Sequence, residues 1–199
     1  RLTMDVLTGL RTGVVDDIVS AVLLAAISNA NTSYLDARPD ISQRHIAVGS
    51  VMDDMRRPVP VSSLARSLGI PRETARGKAL DLVSRGLVAT TPEGLILRSD
   101  ALLSEPILSA TRTAMQSAED FITSLARINV CGLDETWRLA APMRDVSWGL
   151  LRLVIANMLR GVAHAMALSP DMGMMSGYIM LAVTQENGAH LGLDTGPTP

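Results

Sequence analysis

Between residues 61 and 98 the apolar positions recur first with a helical and then with a strand period, and the change marks out four elements. Leu64, Ala65 and Leu68 lie one helical turn apart on a single face, which predicts a short helix. Gly69 follows and supplies the positive φ of a tight turn, and Pro71 opens the next helix, where its missing N–H costs nothing. Ala75, Ala79, Leu82 and Val83 repeat at helical spacing up to Gly86, and small Ala65 and Ala75 permit close approach where the two helices cross. Leu87-Val-Ala-Thr-Thr, a Pro92-Glu-Gly94 turn and Leu95-Ile-Leu-Arg98 then predict a two-stranded hairpin.

The remaining pattern is helical. Val14–Tyr34 reads as an almost wholly apolar helix opened by Asp16 and Asp17, whose charge suits a helix N-terminus, and 36–40 breaks it. Ser42–Met55 reads as a helix stopped by Pro58 and Pro60. Ser104-Glu-Pro106 has the form of a helix start, and that helix runs to about Asn129. Cys131–Pro142 is a break holding a short helical piece at Asp134–Leu139; helices are predicted at Asp145–Leu168 and Met174–His190, and Leu193–Pro199 is a fraying tail. The fold class expected is mainly α with one small β-hairpin. Its organisation is an N-terminal helix (1–40) packing on the C-terminal helices, a central motif (41–100), a helical assembly or sensing region (101–192) and a tail (193–199).

The runs Leu64-Ala65-Arg66-Ser67-Leu68-Gly69-Ile70, Arg72-Glu73-Thr74, Leu82-Val83 and Gly86-Leu87-Val88 carry a resemblance. Over residues 42–98 the chain resembles the winged helix-turn-helix transcriptional regulators of bacteria, a grouping that includes the MarR, IclR, GntR and cyclic-nucleotide-responsive activator families. The resemblance implies a sequence-specific binder of double-stranded DNA, with the second helix in the major groove and the hairpin as a wing touching phosphates or the minor groove. It implies base or phosphate contacts for Arg72, Glu73 and Arg76, a phosphate contact for Thr74, and supporting DNA contacts from Arg56, Arg57, Arg66, Lys78 and Arg98. The chain departs from the cyclic-nucleotide activators at Gly77, where those carry a second Arg. Glu73, Gly77, Leu80, Asp81 and Ser84 on the outward face also make it only weakly basic, which keeps open a protein-interaction module of the same fold that never touches bases.

Composition narrows this picture. With 199 residues, 47% of them hydrophobic, the chain can bury a sizeable core in one or two domains. Net charge is −2, yet residues 44–85 hold eight basic against four acidic side chains, leaving the rest acidic. Cys131 is the only cysteine, so no intrachain disulfide forms and a reducing cytoplasm fits. No signal peptide is visible at the start. Trp148–Leu168 is interrupted by Arg152, Asn157, Arg160 and His164, and Ile18–Ala30 is too short to span a bilayer, so both read as buried helices and no membrane partner is expected. His45, His164 and His190 lack metal-ligand spacing, and His164 reads as a core or interface histidine. There is no glycine-rich phosphate loop and no nucleophile elbow, and the Asp16-Asp17 and Asp53-Asp54 pairs lie at helix ends. Neither an enzyme, a metal nor a cofactor is expected.

Two further expectations concern assembly and sensing. The apolar helices at Val14–Tyr34 and Asp145–Leu168 predict a homodimer, which palindromic half-sites require. Trp148, Met166, Met175 and Tyr178 are candidates to line a pocket for a small apolar effector; the competing reading is plain core or dimer interface. Finally, Asp17–Leu35 aligns without gaps on Gly173–Leu191, with identities at Ser20/Ser176, Ala26/Ala182, Asn31/Asn187 and Leu35/Leu191. That similarity predicts an internal repeat, each copy a core helix followed by a winged helix, with the natural protein continuing past Pro199.

Overall fold

The computed structural model describes residues 2–37, 53–127 and 148–168, with the single positions 179 and 183. Among them the chain is mainly helical, with one small two-stranded antiparallel sheet. The helices are α1 (Leu2–Gly13), α2 (Ile18–Thr32), α3 (Val61–Leu68), α4 (Arg72–Ser84), α5 (Ser99–Leu102), α6 (Glu105–Arg127) and α7 (Trp148–Leu168). The strands are β1 (Val88–Thr91) and β2 (Gly94–Leu97).

α1 was not anticipated from the sequence. Gly9, Gly13 and three threonines lower its intrinsic propensity, and its apolar face is little more than Val6, Leu7 and Leu10. Packing supplies what propensity lacks. A Cβ at Gly9 would sit 3.6 Å from Ala110, one at Gly13 would sit 3.7 Å from the Pro106 carbonyl, and Ser117 Oγ donates to Asp5 Oδ2 at 2.7 Å. As the α1 numbers rise their α6 partners fall, so the two helices run antiparallel, and small residues at the seam bring their backbones close.

α2 is the element around which the others pack. Ten of its fifteen residues are buried, and it meets α1, α3, α4, α7 and β2. It is shorter than the helix expected at Val14–Tyr34, because Asp17 caps it, accepting from Ser20 N at 3.0 Å and Ser20 Oγ at 2.7 Å, and Ser33–Ala37 tightens into a 3₁₀ turn. The apolar window Ile18–Leu35 is longer than the sequence reading allowed, with 18 residues and a mean hydropathy of 1.4, enough by length and composition to cross a bilayer. In this fold it is a core helix. It carries fully buried Ser20 and Asn31, polar groups that lipid could not satisfy. Of the helix expected at Ser42–Met55, all but Asp53–Met55 lies outside the described residues, and those three form a 3₁₀ turn.

Asn31 joins α2 to the sheet. Its Nδ2 donates to the carbonyls of Arg57 at 2.7 Å and Leu95 at 3.0 Å, and its Oδ1 accepts from Leu97 N at 2.8 Å. The Asn31 carbonyl accepts from Arg57 N at 3.1 Å. Both amide donors and the amide oxygen of this buried side chain are thereby engaged with backbone that has no helix of its own. Between those backbone segments Val59 and Leu95 exchange N–H···O bonds of 3.1 and 2.9 Å, so Val59 adds a third, one-residue edge to the hairpin. The hairpin itself pairs Val88 with Leu97 and Thr91 with Gly94, and it turns Val88, Leu95 and Leu97 into the core. Gly94 has φ +146°, and a Cβ there would meet the Val59 carbonyl oxygen at 2.4 Å. Only glycine lets that edge close.

Two outcomes follow. Asn31→Leu, which leaves the Leu97 N–H without its buried acceptor and removes two donors, should cost about 3 kcal/mol in urea unfolding. Gly94→Ala should cost about 2 kcal/mol or more, because the obstacle is backbone and cannot swing aside. A loss under about 0.5 kcal/mol in either variant would mean the Val59 edge does not hold the hairpin.

Candidate nucleic-acid interface

The helix, turn and helix from 61 to 84 are set by backbone chemistry that the sequence announces. Leu64, Ala65 and Leu68 are buried, and Gly69 ends α3 in the left-handed region at φ 60°, ψ 31°. Its N–H bonds to Arg66 O, and that of Ile70 to Ala65 O, so the last α3 carbonyls are satisfied. Pro71, extended at φ −57°, ψ 138°, occupies the capping position one residue before α4. Ala75, Ala79 and Leu82 form the buried stripe of α4, and Gly86, at φ +73°, follows its end.

That stripe turns a defined set of side chains outward. Arg72, Glu73, Thr74, Arg76, Gly77 and Leu80 are all exposed, Leu80 at 57%. Gly77 has nothing within 4 Å of where a Cβ would lie, so the α4 backbone is open there. Arg76 Nε bonds Glu73 Oε2 at 2.9 Å, both groups well solvated. Arg72 and Arg66 make no ion pair among the described residues, and Arg66 is exposed on the last turn of α3.

The other cations expected at DNA are placed differently. Lys78 lies on the side of α4 facing α2, where its Nζ bonds Asp17 Oδ2 at 2.7 Å with both side chains 35% exposed. It secures α4 to the body. Arg85 does the same one helix end further along, pairing with Asp16 and, at 2.9 Å, with Asp81. Arg98 makes paired bonds to its neighbour Asp100, which leaves that site formally neutral. Arg57 stacks its guanidinium over the Tyr34 ring, 4.3 Å from the centroid, while remaining exposed. Arg56, expected at phosphates, is turned inward, only 5% exposed and 3.5 Å from Asp53, so it is part of the fold and not of the surface.

These contacts perturb protonation in the expected directions. Burial works against the Asp17 carboxylate, but hydrogen bonds from Lys78 and Ser20 outweigh it and bring its pKa down to about 2. The Arg85 hydrogen bond and charge hold Asp16 below the ordinary carboxylate range, and Arg98 does the same for Asp100. Burial lowers the Arg56 pKa against the opposing pull of Asp53. None of the outward α4 side chains is part of this network.

Several expected features find no test or a different answer. Met175 and Tyr178 lie outside the described residues, and only the backbone of Trp148 and Met166 is described. The second member of the internal similarity likewise lies outside them, apart from positions 179 and 183. His164, read as a core or interface histidine, is exposed on α7. Among the described residues no group of three or more His, Cys, Asp or Glu side chains could hold a metal ion. The role of Lys78 and the strand-like edge at Val59 were missed from the sequence. The signal for Lys78 was available, since it lies one residue before Ala79 on the buried stripe and is the only lysine in the chain.

Asp17 provides a pH test of the α2 to α4 tie. Its folded pKa of about 2 lies below the ordinary aspartate value of 3.8, so the stability it contributes is present above pH 3.8 and is lost as pH falls toward 2. Allowing for a side chain one-third exposed, that contribution is about 1 kcal/mol. Asp17→Asn, which keeps a capping oxygen, should lose this increment at neutral pH and unfold with a correspondingly shallower acid dependence between pH 4 and 2. An unchanged acid limb would show that the Lys78 pair contributes nothing.

Comparison with known protein families, characterised proteins and solved structures found no match to this chain.

Proposed function

We propose that residues 42–98 form a winged helix that binds duplex DNA, with α4 as the helix that enters the major groove. What supports the fold assignment is chain order. α3, α4, β1 and β2 follow one another as helix, helix, strand, strand, and the Val59 edge joins the hairpin just ahead of α3. The observation that carries the functional reading is the outward face of α4. Arg72, Glu73, Thr74 and Arg76 are solvated in its first two turns, beside an open backbone at Gly77, while Lys78 and Arg85 anchor the same helix from behind. A rigid helix presenting unburied donors and a close-approach glycine is suited to a groove 12 Å wide.

The charge inventory limits how this protein can bind. Among the described residues of this region the cations left for phosphates are Arg57, Arg66 and Arg72, with Arg76 once Glu73 turns to a base or to water; Arg98 is neutralised and the hairpin tip carries Glu93. Affinity per chain is therefore modest, and two heads on one site would be needed for tight binding. We propose a homodimeric regulator on that ground, with no enzymatic role. A protein-interaction module of the same fold is the second reading. It is favoured by one observation, the 57% exposure of Leu80 at the centre of the α4 face.

Selection from random duplex DNA followed by salt titration decides between them. With Z of about three to four released phosphate contacts per head, log K should fall against log salt with a slope of about −3 to −4 per chain bound. Arg72→Ala should weaken the selected site by about 1–3 kcal/mol and flatten preference at one position, whereas Arg66→Ala should weaken all sequences alike. Sedimentation at tens of micromolar, roughly where standard interfaces hold, should show a dimer. No binding at low salt, or binding indifferent to Arg72 and Arg76, would sink the DNA reading; a strictly monomeric protein would sink the assembly.

A further inference from the structure

A groove of about 590 Å³ runs between the C-terminal half of α2, the outer side of α3 and the middle of α7. None of its described lining residues comes from α4. Its floor is aliphatic, with Ala30, Leu68 and Ala156 among the wall residues, and its volume falls within the range of small-molecule sites. Its described rim has a definite polarity. Arg160 is the one ionised side chain among the described lining residues, and it bonds only a neutral partner, Asn157 Oδ1 at 3.1 Å. Two uncharged donors, the Asn29 amide and the Ser63 hydroxyl, line the same groove from α2 and α3 and make no side-chain hydrogen bond among the described residues.

We infer that this groove binds a small amphipathic carboxylic acid, its apolar body on the alanine and leucine floor and its carboxylate on Arg160, Asn29 and Ser63. The charge decides the class. An apolar ligand without an anion leaves the guanidinium facing water or the ligand's own hydrocarbon, whereas a carboxylate accepts from a forked guanidinium and from both neutral donors. A cationic ligand meets like charge. The position gives the binding a consequence. An occupant bridges α7 to α3, and α3 packs directly on α4, so ligand alters the setting of the helix proposed to read DNA. That consequence rests on the DNA reading; the binding itself does not.

The test uses the full chain, with octanoate as probe and 1-octanol as its neutral counterpart of the same length. Calorimetric titration should show saturable one-to-one binding of octanoate and about tenfold weaker binding of 1-octanol. Arg160→Gln should bring the two ligands to equal affinity, while Ala163→Leu, which fills the groove from an exposed position, should weaken both with the melting temperature preserved. Octanoate that does not saturate, an alcohol that binds as well as the acid, or affinities untouched by both substitutions would each overturn the proposal. A second arm measures the affinity for the selected DNA with and without octanoate in wild-type and Ala163→Leu protein. A shift confined to wild type supports the coupling, and a wild-type affinity that octanoate leaves unchanged overturns it. Failure of the free protein to bind DNA overturns the DNA reading alone, because the calorimetry decides the groove independently.

Discussion

The side chain of Asn31 is what makes the helices and the sheet one structure. It is fully buried, and its two N–H donors and its oxygen all bond backbone from two segments far apart in sequence, Arg57 and Leu95–Leu97. A buried amide costs free energy unless it is satisfied, and an alternative register of the hairpin would move the Leu97 N–H and the Leu95 carbonyl away from it together. The penalty for misplacement is therefore paid by both partners at once, so the position of β2 against α2 is specified more sharply than apolar contact could specify it. Leu95 also carries the Val59 pair, which fixes where the chain enters α3. From that point the placement of α3 and α4 follows through Leu64, Leu68, Ala79 and Leu82 in the shared core.

At its other end α2 governs charge. Asp17 caps the helix and holds Lys78, and Asp16 meets Arg85, so cations on two sides of α4 are spent on the body. A locally basic segment in the sequence thus becomes a surface that is much less basic. Of the eight basic side chains between 44 and 85, those at 78 and 85 tie helices together, Arg56 is buried and Arg76 is matched by Glu73. The exposed pairs among these are individually weak, since solvent screens them, but the 2.7 Å Lys78–Asp17 contact lies at a half-buried seam and orients α4 about its own axis. Counting charges along a chain overstates a nucleic-acid surface wherever helices exchange ion pairs across a seam.

This explains which features were legible from sequence and which were not. The face of α3, the left-handed turn at Gly69, the Ala75, Ala79 and Leu82 stripe and the hairpin are each encoded within one element, where periodicity and glycine placement decide. Outward exposure of Arg72, Glu73, Thr74 and Arg76 follows from that same stripe. Asn31 stood out only as a polar match within a suspected repeat, because nothing local says that residues 26 and 64 positions away will meet it. Val59 between two prolines looks like a linker, and its strand character exists only through Leu95. α1 was missed for the complementary reason: its glycines lower helix propensity, yet they are what permits close contact with Ala110 and the Pro106 carbonyl.

Composition ties these observations together. Aromatic residues make up only 3% of the chain, so the described core is built from alanine, valine, leucine and isoleucine, with Met158, on helices that approach closely at small residues. Such surfaces are smooth and similar to one another, and an interface of alanines tolerates sliding by a turn better than one keyed by large rings. Uniqueness must then come from elsewhere. In this protein it comes from polar groups with specific partners: buried Asn31 at one end of α2, buried Ser20 under Asp17 at the other, and the half-buried Ser117–Asp5 bond between α6 and α1. The same plainness leaves room at the surface. Ala30 of α2 and Ala156 of α7 both line the groove beside α3, where their short side chains fill little of it.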